Sequence, residues 1–162
     1  MTILAVIAFA AGASPLGARD TIGVYHRWGA FRDAEPARCY AIAQPIAAGG
    51  RGGGFASVAT WIGDGPSKGL RSSVSIRLTQ PRDRSAGVTL TIGERRFDLA
   101  ANSRDAFATD LASDRALVTA MRSGRSMSVE AVAEGGRPFA DTYSLSGAAT
   151  AIDAAALACR GR

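Results

Sequence analysis

The chain has 162 residues, 47% of them apolar, and carries a formal net charge of +5. That length suits one domain with a real core. With two cysteines and one histidine it lacks the usual all-Cys/His structural zinc set, so no metal site is expected.

Met1 to Ala18 holds no charged side chain. Its apolar run, Ile3 to Ala13, is too short to span a bilayer, which takes about 20 residues. It suits the central region of a secretory signal peptide, broken by Ser14, Pro15 and Gly17. The expectation is a signal peptide over 1–18 and a single β-rich exported domain over 19–162, periplasmic or secreted. The alternative is an N-terminal hydrophobic strand or an uncleaved anchor. No later segment is apolar enough to span a membrane, so the mature chain is expected to have no transmembrane segment.

Ile22 to Phe31 mixes aromatic and polar residues and reads as an edge strand. Asp33-Ala34-Glu35-Pro36 is a turn, and Arg38 to Gln44 is the next strand. Gly49 to Gly54 reads GGRGGG, a flexible surface loop. Phe55 to Ile62 alternates as a strand, and Gly63-Asp64-Gly65-Pro66 turns the chain. Ser72 to Thr79 is the clearest half-buried strand, with Val74, Ile76 and Leu78 facing one way. Pro81 to Ser85 is a polar loop. Val88 to Ile92 and Arg95 to Leu99 form a tight hairpin around Gly93-Glu94. Asp114 to Arg122 has helical spacing, with Ser113 or Asp114 as its cap and Gly124 at its end. Met127 to Ala133 and Pro138 to Leu145 are strands about a Glu134-Gly135-Gly136 turn. The last element starts after Ser146, a plausible cap, and repeats Ala148, Ile152, Ala155 and Cys159 at helical spacing. The whole predicts a mainly β, antiparallel sandwich-like domain with one short internal helix and a C-terminal helix.

Two cysteines in an exported chain imply one disulfide, Cys39 to Cys159, tying the start of the mature domain to its end. Two buried free thiols are the alternative. On the helical spacing, Cys159 faces the core side, as that bond requires.

His26 is the only histidine, so any His-dependent catalysis must use it. The serine-nucleophile elbow is absent, since Thr142 stands where Ser144-Leu145-Ser146-Gly147 would need its leading glycine. The GGRGGG loop lacks the Lys and Ser/Thr of a phosphate loop, and Lys68 has no matching glycine spacing. No cofactor is expected. Asp98, Asp105, Asp110 and Asp114 cluster loosely, and capping and solvation explain each. Trp28, Phe31, Tyr40, Phe55 and Trp61 read as core residues of adjacent strands, with an aromatic ligand platform as the alternative. The arginines are scattered and read as solvated charge, so no nucleic-acid partner is expected.

Trp28-Gly29-Ala30-Phe31 followed by Arg38-Cys39-Tyr40-Ala41 resembles the opening Trp…Cys pattern of the invasion-associated locus B (IalB) family. Val88-Thr89-Leu90-Thr91-Ile92-Gly93 is similar to its central strand. Ser144-Leu145-Ser146-Gly147, with Ala151-Ile152 after it, resembles the start of its closing helix. The resemblance implies a small, β-rich, exported bacterial protein without an assigned catalytic activity, linked in some pathogens to host-cell invasion. The expected function is a non-catalytic exported protein that binds another protein or an envelope component. The alternatives are a small periplasmic hydrolase using His26 or an aspartate, and an arginine-driven anion-binding module.

Overall fold

The computed structural model describes residues 19–34, 37–62 and 69–160. The expected signal peptide, the 63–66 turn, Lys68 and the end of the 33–36 turn lie outside the described residues. The elements are β1 (Arg19–Tyr25), β2 (Trp28–Asp33), β3 (Arg38–Ala43), β4 (Phe55–Ile62), β5 (Leu70–Arg77), β6 (Val88–Ile92), β7 (Arg95–Ala101), β8 (Asp105–Phe107), α1 (Leu111–Ser123), β9 (Ser126–Val132), β10 (Pro138–Ser144) and α2 (Ala148–Arg160). The strands form a 10-stranded sheet in the order β1-β2-β3-β4-β5-β8-β7-β6-β9-β10. Every pairing is antiparallel.

The sheet curls so that β10 returns against the β2–β3 region. Trp28 Nε1 donates to the Ser144 carbonyl at 2.8 Å, and the Ile46 N–H to the Thr142 carbonyl at 2.8 Å. Both halves of the sheet thus share one core, and the fold is mainly β and sandwich-like.

Alternation decides the two faces of the first half. Cys39, Ala41 and Ala43 of β3 lie beside Ala30 of β2 and Ala56 and Val58 of β4, all buried. These side chains are small, so a helix can approach closely. α2 packs there, across β1 to β4 and centred on β3, through Ala148, Ala151, Ile152 and Ala155. The Cys39–Cys159 disulfide, with Cα atoms 5.9 Å apart, ties the last turn of α2 to that face. The expected bond is present, and both cysteines are in it.

Several boundaries differ from the sequence expectation. The single strand over 22–31 is two strands, because His26 takes φ 54° and turns the chain between Tyr25 and Trp28. The clearest strand begins two residues earlier, at Leu70, and ends at Arg77. β8 departs from the sequence expectation, because three residues carry too little periodicity to read. The α1 cap is Asp110, whose carboxylate accepts the Ser113 N–H at 2.7 Å, rather than Ser113 or Asp114. α2 starts after Gly147, whose carbonyl accepts the Ala151 N–H at 3.0 Å, one residue beyond the Ser146 cap.

The GGRGGG segment is pinned rather than flexible. Asp141 of β10, fully buried, accepts the Gly49 N–H at 2.8 Å, the Thr79 N–H at 2.9 Å and the Thr79 hydroxyl at 2.5 Å. The Gly52 N–H donates to the Thr79 carbonyl at 2.8 Å. A Cβ at Gly49 would lie 2.9 Å from the Ala140 backbone. Its glycine serves close approach of two backbones.

Candidate functional site

The other face of β1–β5 carries the second set of alternating residues. Register places Phe31 of β2 beside Tyr40 of β3, Tyr40 beside Ala59 of β4, and Ser57 beside Ser75 of β5. None of these outer positions needs to fill the core, and most are half-buried. Two depressions cross this face. One, about 370 Å³, is lined by Arg19, Phe31, Arg38, Tyr40, Ile42 and Phe55, with Ser57, Ala59 and Ser75 as floor. The other, about 550 Å³, runs from Phe31, Ile42 and Phe55 to Val24, His26 and Ile46. They share Phe31, Ile42 and Phe55, so they form one groove.

The two ends of the groove differ in chemistry. At the first, Phe31 and Tyr40 stack with ring centroids 5.8 Å apart. Arg19 lies 5.6 Å and Arg38 5.4 Å from the Tyr40 centroid, within cation–π range. Asp33 bridges both arginines, at 3.1 Å to Arg19 and 2.9 Å to Arg38, and accepts the Tyr40 hydroxyl at 3.3 Å. Burial pushes the Asp33 carboxyl up, but hydrogen bonds from Arg38 and Arg19 outweigh it and hold it below the ordinary carboxylate range. Burial, then the Asp33 charge, raises the Tyr40 phenol. Two cations against one anion leave this end positive. At the second end Val24 is 70% and Ile46 53% exposed, an apolar pair open to solvent.

The structure divides the aromatic group that the sequence placed in the core. Trp28 is fully buried on the inner face. Phe31, Phe55 and Trp61 are half-buried on the outer face, and Tyr40, though buried, lies there too. The core expectation is corrected for Phe31, Phe55 and Trp61, whereas Tyr40 is buried as expected but from the outer face. The platform alternative describes Phe31, Tyr40 and Phe55, which line the groove. β-propensity favours aromatics in a strand without saying which face they take.

His26 is exposed at the β1–β2 turn on the groove rim, and no hydrogen bond joins it to a hydroxyl or carboxylate among the described residues. The four aspartates are apart in role. Asp98 is exposed, Asp105 pairs with Arg77 at 3.1 Å, Asp110 caps α1, and Asp114 accepts the buried Val74 N–H at 2.7 Å. Burial, the main cause, raises the Asp114 carboxyl. Among the described residues no three His, Cys, Asp or Glu side chains gather to hold a metal ion, and no helix is long and apolar enough to cross a membrane.

A family model described as "Invasion associated locus B (IalB) protein" matches residues 32–156. The crystal structure of invasion associated protein B from Bartonella henselae superposes with a TM-score of 0.63 at 15% identity, covering 88% of this chain and 99% of that one. At that identity the likeness shows the fold. No curated protein matches the sequence.

Proposed function

Since the chain belongs to the invasion-associated locus B family, we infer that it is an exported, non-catalytic protein that binds another protein or an envelope component through its outer groove. The observation that carries this is the composition of a sheet face that no helix covers among the described residues. Tyr40, Phe31, Phe55, Arg19 and Arg38 line it, and aromatic residues with arginine dominate binding hot spots. The inner face already has α2, whereas among the described residues the outer aromatics pack under no helix. Export, with 1–18 as its signal and 19–162 as one domain, is supported by the leader pattern and by a disulfide that belongs to oxidising compartments.

The test is co-sedimentation with envelope vesicles and with purified cell-wall sacculi from the producing bacterium. Wild-type protein is expected to sediment with one of them. The Phe55→Ala, Arg38→Ala double variant, folded by circular dichroism, should stay in the supernatant. Leu157→Ala, on the exposed side of α2, should sediment like wild type. Equal sedimentation of the groove variant, or none by wild type, removes the reading.

A further inference from the structure

A second cleft lies between β5 and α1, and it shares no lining residue with the outer groove. β8 pairs with β5 only along Ser75–Arg77. Leu70–Val74 therefore has no strand on the side away from β4, among the described residues. On that side the Val74 N–H donates to Asp114 at 2.7 Å. Backbone groups alternate sides along a strand, so the N–H and C=O of Ser72 and Leu70 point the same way. They face a cleft of about 610 Å³.

The opposite wall is one face of α1, carrying Leu111, Arg115, Val118 and Arg122. Arg71 of β5 adds a third guanidinium, and no carboxylate lines the cleft. Arg122 is held by Asp153 at 2.7 Å. Arg71 and Arg115 are exposed and make no ion pair among the described residues. The nearby helical acids are engaged, Asp110 as the cap and Asp114 on Val74. Leu111 is 49% exposed at the mouth.

We propose that this cleft takes an extended acidic segment of a partner protein, which adds as a short strand to the open edge of β5. The Leu70 and Ser72 backbone groups hold the segment's main chain, Arg71 and Arg115 its carboxylates, and Leu111 and Val118 its apolar side chains. Strand addition at an open edge beside a helix draws affinity from main-chain bonds and specificity from alternate side chains. Charge selects the occupant. A second copy paired at β5 would bring arginine against arginine, in a chain of net charge +5. A small anion would leave the Leu70 and Ser72 edge groups unused.

The probe is a fluorescein-labelled peptide alternating Glu and Val, titrated with the full mature protein and followed by anisotropy. Its Lys/Val counterpart is the control. The Glu/Val peptide is expected to bind, and to bind at least about tenfold more tightly than the control. Arg71→Glu with Arg115→Glu should weaken it by a similar factor. Ser72→Pro removes a donor the sheet does not use, an edge position where proline is tolerated. It should keep the wild-type circular dichroism and Tm yet abolish binding. Ser72 and Leu70 amide exchange should slow when wild type is saturated. The proposal is overturned if Glu/Val binds no better than Lys/Val, which makes the arginines only a guard on the edge. Full binding by Ser72→Pro overturns it in favour of a simple anion site. A wild-type dimer lost in Ser72→Pro, seen by sedimentation equilibrium, overturns it in favour of self-pairing.

Discussion

Asp33 lies between two guanidinium groups on the outer face, whereas Asp114 lies under a strand edge and makes no ion pair among the described residues. The same side chain is therefore shifted in opposite directions, below its usual range at Asp33 and above it at Asp114. A carboxyl whose folded pKa is lowered stabilises the fold above its unfolded value of about 3.9, and that contribution is lost as pH falls through the lower folded value. Asp33→Asn should therefore be less stable than wild type by an amount that is constant above about pH 5. The gap should start to shrink as pH drops below about 4, where the unfolded carboxyl takes up its proton, and close once pH has passed the lower folded value of Asp33. Urea titrations of both proteins across that range check this, and a gap that persists at low pH would count against the bridge. Asp33, flanked by Arg32 and Ala34 in sequence, gave no hint of its two arginine partners. Arg19 and Arg38 reach it from β1 and β3, elements whose pairing is a tertiary fact.

At the scale of elements, short segments are held where the backbone has little freedom. Gly147, just before α2, takes φ 88°, and a Cβ there would overlap the Tyr25 carbonyl of β1. Gly53, in the glycine-rich segment, has nothing within 4 Å of the Cβ position. Gly147→Ala is expected to destabilise by about 2 kcal/mol or more, from strain plus overlap. Gly53→Ala should be neutral or stabilising by about 0.4–1 kcal/mol, through the unfolded chain. Thermal or urea unfolding of the pair measures this, and equal effects would contradict the packing described. Composition alone made all the glycines of 49–54 equivalent. Their neighbours Thr79, just past β5, and Ala140 and Asp141 of β10 are distant in sequence and separate those that must be glycine from those that need not be. Long periodic segments were legible for the opposite reason. Val88, Leu90 and Ile92, or Leu117, Ala120 and Met121, carry their burial pattern within one element.

For the whole molecule, the disulfide joins residues 120 apart and so closes most of the described chain into one loop. In the chain-entropy view a loop of that size stabilises by at most about 4–5 kcal/mol. Protein recovered from the periplasm of an expressing cell should show the non-reduced mass of Arg19 to Arg162 less two hydrogens. Reduction should then lower its urea midpoint substantially and loosen α2 first, since the bond lies in its last turn. A full-length, reduced mass would refute export, and an unchanged midpoint would show that the inner face holds α2 without the bond.

The sequence by itself determined the fold class, most strands, both helices, the paired cysteines and the family resemblance. Those rest on local periodicity, turn chemistry and a count of two thiols, each readable within a short window. Only the tertiary structure decided which face of β2–β4 the aromatics take, since alternation defines two faces without naming the one α2 will cover. It alone also brought Arg71 and Arg115, 44 positions apart in number, to one cleft beside an open strand edge. Charge spread along a chain says nothing of its gathering in space until strand order and helix placement are known.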